Sequence, residues 1–490
     1  MSENITYDKI ALLNELESYL YKVNKKYIND FPITRIQIGY FLEMYDLQMV
    51  NKSSISKNFE FKKHSVNWRS FKKLIKLRVK LFFLRFRYNN LLAKKVLLFG
   101  FVEHFKVHPN GENVNLYLSP IKKELKRNSV EFDELLISNS QSKTDLTPIK
   151  ELYDVLSEYN YLLFSFKAKL FNNYKETEKQ AKCIHDFLET KMVSGSVHCV
   201  NLYYKTKVTN EILYNTFKQL IEILNPRLIW TYCFYDNCML AMCKAANHNK
   251  IEIVEYQHSQ QSDIHFAYAK WNLIDIYRYY FPSIFWVWSE EDADRIRKNF
   301  LTQQYIPKII VGGNVAAIQQ QQIYNYKDPT AGTGILISLT GEWIPTFLEK
   351  VIEADSMYTW YFRLHPRYPS DANSLELFKN KYPQKIETLS SNTLSLFELF
   401  TLVTFNITAT SGTALEAEYF GVKNIITGDA GKFIFRDKIE SNKYSYVSNE
   451  LELSEKIYKH GVTKIDSYKT SDLSLSQKLN EVVRELFMGN

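Results

Sequence analysis

The sequence predicts an α/β protein: two doubly wound, Rossmann-like domains in tandem, facing a cleft, behind a helical N-terminal extension. Three observations predict it. The chain has 490 residues, 45% of them hydrophobic and 15% aromatic, more apolar material than one core holds at roughly 150 residues per domain. From Lys94 onward, short apolar strands alternate with amphipathic helical stretches, the texture of a parallel sheet covered on both faces. A glutamine run, Gln319 to Gln322, and Pro329 break that alternation within residues 316–333, after which it resumes.

Residues 1–94 form the extension. "NITYDKIALLNELESYLYKVNKKY" places apolar residues three and four apart, the spacing of an amphipathic helix. The net charge of +8 is local: residues 61–100 hold twelve Lys or Arg and no Asp or Glu. There Phe71, Leu74, Leu81 and Phe82 mix with Lys72, Lys76, Arg78 and Arg85 at helical spacing. Such a helix suits an anionic bilayer, at ~1 kcal/mol for each basic residue near the surface. The alternative is a helix packed on its own domain with its basic face in water. Nucleic acid is not expected as a partner, because no recognised binding module accompanies the stretch.

The first domain spans 95–315. Its strands are read at 96–100, 226–236, 251–259, 285–292 and 308–314, with a polar loop at 101–120, helices through much of 145–225 and a helix at 237–249. A linker, 316–333, leads to the second domain, 334–490. That domain carries strands at 335–339, 360–366, 402–408 and 424–429, helices near 342–354, 374–381 and 412–420, and a helical tail from 451. Ligands bind such sheets at the carboxyl ends of their strands, so both ends are expected to face the cleft.

Composition limits the setting. No run reaches the roughly 18 to 20 apolar residues of a membrane-spanning helix. The five cysteines are odd in number, form no Cys-x-x-Cys pair and follow no secretory signal, which points to a reducing cytoplasm and at most peripheral contact with the inner face of the membrane.

The candidate site residues stand at strand ends. His365 and Arg367 flank Pro366 where the strand 360–366 stops, and a cation beside an imidazole there suits a phosphate or carboxylate; an ordinary turn is the plainer reading. Ser411, Gly412 and Thr413 open the helix 412–420, where free N–H groups and the helix dipole favour phosphate, though a simple N-cap needs only one such residue. Gln257 and His258 end a strand of the first domain and can face the same cleft.

The order of Gln257-His258, "VGGN", His365-Pro366-Arg367 and "TSGTALEAEYFGVKNII" resembles the bacterial surface-polysaccharide glycosyltransferases of the GT-B fold over residues 95–460. That group takes in capsule and lipopolysaccharide enzymes, CMP-sugar-using Kdo- and sialyl-type transferases, and teichoic-acid glycerophosphotransferases. Ser259 stands where relatives have glycine, followed as in them by a histidine and a tyrosine, His265 and Tyr268, and Ser411-Gly412-Thr413 replaces a pair of adjacent serines. The resemblance implies a nucleotide-sugar donor, CMP-linked ahead of UDP- or GDP-linked, and a glycan or lipid-linked acceptor in capsule, O-antigen or lipooligosaccharide synthesis. It implies that His365 and Arg367 contact the donor phosphate beside Ser411, Gly412 and Thr413, that Glu416 reaches the ribose or sugar, and that Thr340 and Gly341 line the same pocket.

An inverting transfer needs one group to take the acceptor's proton and N–H donors or cations on the departing phosphate. Asp236 is the first choice for that base, with His258, Glu103 and His104 as alternatives. No cofactor is expected beyond the nucleotide sugar as co-substrate, and no metal, since His, Cys and Asp do not cluster at ligand spacing. Competing readings are a glycerophosphotransferase, a sugar-nucleotide epimerase of the same fold, and a non-catalytic GT-B scaffold in a polysaccharide assembly complex.

Overall fold

A computed structural model describes residues 2–46, 67–89, 96–107, 113–115, 117–138, 148–171, 175–191, 193, 196–323, 334–341, 343–365, 371–388, 393–460 and 480–487. Among them stand two six-stranded sheets, parallel throughout, each wrapped by helices. "VLLFGF" shows why: a strand with no polar position cannot leave a face in water, and all six residues of Val96–Phe101 are buried.

The first sheet has the order β4-β1-β5-β6-β7-β8. Its strands are β1 Val96–Phe101, β4 Phe132–Ile137, β5 Leu228–Tyr232, β6 Glu252–Tyr256, β7 Ile284–Val287 and β8 Lys308–Val311. A small antiparallel ribbon of β2 Phe105–Val107 and β3 Asn113–Asn115 sits within the predicted polar loop. The second sheet has the order β11-β10-β9-β12-β13-β14, from β9 Gly334–Ser338, β10 Thr359–Arg363, β11 Ile386–Glu387, β12 Val403–Thr408, β13 Lys423–Thr427 and β14 Tyr444–Val447. Two doubly wound sheets in tandem, with helices over both and ahead of the first, make a GT-B architecture.

Three parts of the chain are placed differently from the reading above. The N-terminal helices α1 Ser2–Val23 and α2 Phe31–Asp46 do not stand apart as an extension. Leu13, Leu16, Leu20, Phe31 and Ile38 lie in the same core as β1 and β5. The buried Glu17 carboxylate accepts the Leu273 N–H at 2.9 Å and the Tyr277 hydroxyl. Arg35, buried over the Trp271 ring at 4.2 Å, donates to the Phe266 carbonyl at 2.8 Å.

The predicted linker begins as a helix, Val315–Ile323, whose Val315 and Ile318 join the first core and whose Ala317 joins a core of the second domain. Residues 324–333 lie outside the described part. The helical tail, finally, is divided: its first helix, Glu450–His460, packs in the second domain's core through Leu453 and Ile457. Residues 480–487 return to the first, where Val483, Leu486 and Phe487 are buried and the Phe487 ring lies 5.6 Å from Trp230.

Candidate functional site

The second sheet changes direction at β9 and β12: β10 and β11 extend it one way, β13 and β14 the other. A crevice must open at such a switch point, because the connecting loops diverge there. A cavity of about 270 Å³ occupies it, lined by Thr340 and Trp343 after β9, Ala409 after β12, Gly428 after β13 and Tyr446 of β14. The lining joins hydroxyls to the aromatic rings of Trp343, Phe347 and Tyr446. At its rim the Lys432 ammonium lies 5.2 Å from the centre of the Tyr446 ring, and the Tyr446 hydroxyl donates to Asp429 at 3.2 Å. Gly428 turns the chain at φ 82°, and a side chain built there would meet nothing within 4 Å, so this edge is open. Gly431 is the opposite case: a Cβ would sit 2.0 Å from the Ala409 carbonyl oxygen, backbone against backbone. Gly431→Ala is therefore expected to displace the loop after β12 and to lower the melting temperature measurably in a thermal scan.

The loop from β12 to the helix Thr413–Glu418 is fixed from within. Thr408 Oγ1 donates to the Ser338 carbonyl at 2.9 Å and accepts the Ser411 N–H at 3.1 Å, and Ser411 Oγ accepts the Thr413 N–H at 3.3 Å. Gly421, at φ 66°, ends this helical turn in the left-handed region that glycine tolerates. The Thr413 hydroxyl is buried and has no hydrogen-bond partner among the described residues. Gly412 faces the other domain: a Cβ on it would lie 3.3 Å from Ser259 Oγ. The loop Gln257-His258-Ser259 of the first domain therefore meets Ser411-Gly412-Thr413 of the second across the domain seam. Around them the seam is held by Arg295, which reaches Asp292 at 3.1 Å and Asp437 at 2.6 Å, and by Tyr419 Oη, which accepts the Asn314 N–H at 2.8 Å.

On the first-domain side, β5 ends in a tight turn with Cys233 at φ 57°, a conformation that costs a non-glycine residue ~1 kcal/mol or more. The turn brings Cys233 Sγ and the Tyr235 hydroxyl each to 3.0 Å from His258 Nε2. Both partners can donate or accept, so Nε2 finds a hydrogen-bond partner whether or not it carries a proton. Asp236, the preferred base of the sequence reading, is engaged otherwise. It is the N-cap of the helix Asn237–His248 and accepts the Cys238 N–H at 2.7 Å; burial raises its pKa against those N–H contacts, which lower it.

Gln257 is buried as a clamp between strands, its Oε1 taking the Trp288 N–H at 2.7 Å and its Nε2 donating to Asp292 at 3.2 Å. His265 stacks on Phe266, and burial lowers its pKa to about 4, so it brings no positive charge to the cleft at neutral pH. Tyr268 is buried and donates to Glu255. Gln257 and Tyr268 are thus committed to the fold.

Glu255 carries a consequence of that burial. Desolvation pushes its carboxyl from 4.5 up to about 8, against the opposing hydrogen bond from Tyr268. The folded state then keeps a proton that the unfolded chain releases above about pH 4.5, so stability is full below that pH and is lost progressively up to about pH 8. Glu255→Gln is expected to remove this slope, which is ~1.4 kcal/mol per pH unit at its steepest. Urea unfolding of both proteins across the interval measures it.

The other candidates are dispersed. Glu103 is exposed and accepts the Ser138 hydroxyl at 2.8 Å. His104 closes the short turn Val102–His104, its side chain lying outside the described part. His365 follows β10, half-buried, and Arg367 lies outside the described residues. Gly341, at φ 95°, donates its N–H to Asp371 at 3.1 Å. Glu416 acts electrostatically on Arg363, the last residue of β10, whose pKa is lowered by burial and raised by that carboxylate. The chain also holds an Asp-x-Asp that the sequence reading passes over. Its Asp292 is buried with Gln257 and Arg295 and its Asp294 pairs with Arg297 at 2.5 Å, so it is structural.

Arg363, Cys233, Tyr235 and Lys432 escaped the sequence reading. The first two stand at or just past the ends of β10 and β5, inside the longer strands predicted at 360–366 and 226–236, so the predicted ends overshot them; nothing in the sequence brings Lys432 to the pocket rim.

No protein-family model and no curated protein matches the chain. Solved structures similar to it include the UDP-GlcNAc 2-epimerase of Methanocaldococcus jannaschii in complex with UDP-GlcNAc and UDP, at 13% identity over 80% of this chain and 99% of that one, TM-score 0.46. The UDP-GlcNAc 2-epimerase of Neisseria meningitidis bound to UDP-GlcNAc is 10% identical over 81% of this chain and 100% of that one, TM-score 0.46. Acinetobacter baumannii MurG is 8% identical over 81% and 100%, TM-score 0.41. Likenesses of this depth assign neither substrate nor reaction.

Proposed function

We propose that this chain is a glycosyltransferase that takes a sugar from a nucleotide-sugar donor held by the second domain and passes it to a glycan or lipid-linked acceptor presented by the first. The observation that carries the reading is the cavity at the β9/β12 switch point, lined by hydroxyls and aromatic rings with Lys432 at its rim. A nucleoside has matching needs: a flat ring to lie against Trp343 or Tyr446 and ribose hydroxyls to bond. Its phosphates would lie on the adjoining loop Ala409–Thr413, where the buried Thr413 hydroxyl lacks a partner among the described residues. A buried polar group without a partner costs about 1–3 kcal/mol, which a ligand oxygen can return.

His258 then serves as the base. It is a half-buried imidazole beside the seam, with two protic neighbours that tolerate either of its protonation states. The surface-glycan pathway and the CMP-linked donor remain part of this proposal through the sequence resemblance.

The test is a thermal-shift panel of CMP, CDP, UDP and GDP and their sugar conjugates against the wild type and Thr340→Trp, which places an indole in the cavity. Binding to the native state raises the melting temperature with the ratio of ligand to Kd. One nucleotide should stand out and lose its effect in the variant. A flat panel, or a shift unchanged in Thr340→Trp, would defeat the reading.

A further inference from the structure

Helix α3, Trp68–Asn89, carries eight basic residues and no acidic one. It has a buried side: Leu77, Leu81, Leu84 and Tyr88 are within the first-domain core, and Lys73 and Lys80 pair with Glu158 and Glu151 of the helix Pro148–Phe171. The aromatic residues are not on that side. Trp68, Phe82, Phe83 and Phe86 are 67%, 69%, 65% and 68% exposed, and Ile75 and Val79 about half exposed.

Turning ~100° per residue, the helix places these six side chains within about 60° of the direction opposite Leu77. Arg69, Lys76 and Arg87 fall about 80–100° to one side of Leu77, Arg78 and Arg85 as far to the other. The result is a mainly apolar stripe ~27 Å long, interrupted near its start by Lys72, which lies over the Trp68 ring at 5.9 Å, with a basic row along each edge. None of those five edge residues has a carboxylate within ion-pair distance among the described residues.

We propose that this outer face of α3 docks the protein on an anionic lipid bilayer, with the aromatic stripe in the headgroup boundary and the two basic rows against acidic lipid. An isolated helix could be amphipathic merely to pack on its own protein; here the packing is complete on one side and a second apolar stripe is left over, larger than scattered surface residues explain. The charge selects the occupant. A second copy of this chain would bring its own basic rows against these, a like-charge contact that is unfavourable, whereas an acidic bilayer supplies both the apolar depth and the opposite charge. Among the described residues no helix is long and apolar enough to cross a membrane, so the contact is peripheral. The proposal stands independently of the donor-site reading.

Sedimentation of the full-length protein with phosphatidylcholine vesicles, with and without phosphatidylglycerol, tests it. Binding is expected only to the acidic vesicles and should weaken with added salt. The triple variant Phe82→Ser, Phe83→Ser, Phe86→Ser should lose roughly tenfold or more in partitioning, and Arg78→Gln with Arg85→Gln a smaller amount. These side chains are exposed, so melting temperatures should stay at the wild-type value. Equal binding to neutral vesicles, no binding, or undiminished binding of the triple variant would overturn the proposal. So would a dimer in solution that the triple variant dissociates, which would give the face to a second copy. Binding to a single-stranded oligonucleotide that matches or exceeds the vesicle binding would give it to nucleic acid.

Discussion

Replacing His258 with alanine is expected to reduce turnover by roughly 10²–10⁴-fold, the usual contribution of a positioned general base. Turnover here is release of the nucleotide from whichever nucleotide sugar stabilises the protein. His258 qualifies because the strained turn at Cys233 aims two protic groups at its Nε2, and because Ser259, its neighbour, touches the loop proposed to carry the donor phosphates. Folding should survive, since the ring is only half-buried and its removal takes a partner from the Tyr235 hydroxyl and the Cys233 thiol at about 1–3 kcal/mol. The companion variant is Asp236→Asn. Asparagine caps a helix as well as aspartate does, so the helix Asn237–His248 should persist and turnover should be nearly unchanged. Collapse of activity in Asp236→Asn with persistence in His258→Ala would move the base to Asp236.

Glu17→Ala is expected to destabilise the protein by ~3–5 kcal/mol, the range for breaking a buried charged network. The carboxylate is fully buried and accepts from the Asn272 and Leu273 N–H groups and the Tyr277 hydroxyl. Its loss strands three donors at once, deep in the domain. Glu17→Gln keeps a carbonyl acceptor and should cost less. Urea midpoints for the three proteins measure the difference. A loss below about 1 kcal/mol for alanine would mean that α1 is peripheral to the fold after all.

That expectation also marks where sequence stopped informing structure. The central strands were readable because burial on both faces demands unbroken apolar runs such as "VLLFG" and "ILISL". Strand β4 was not: "FDELLI" puts Asp133 and Glu134 in an edge position, where Glu134 is held by Lys122 at 2.8 Å. The periodicity of α1 was visible, yet amphipathicity does not say what covers the apolar face, so a helix buried in the first core reads as an extension. The return of residues 480–487 to Trp230 is a long-range contact with no local signature.

The site divides in the same way. Strand ends are predictable and so the loops at Gln257–Ser259 and Ser411–Thr413 were found; their meeting across the seam depends on how two domains pack, which local sequence does not encode. Gln257 and Tyr268 were plausible site residues by position alone, and only their buried partners, Trp288 and Glu255, show them to be structural.

The claim that the second sheet holds the donor at its switch point is tested most directly by hydrogen exchange of backbone amides, with and without the nucleotide that gives the largest thermal shift. Protection is predicted in the three segments that wall and adjoin the cavity: residues 339–341, 408–413 and 427–429. Slowed exchange confined to other parts of the protein, with these segments unchanged, would contradict the account.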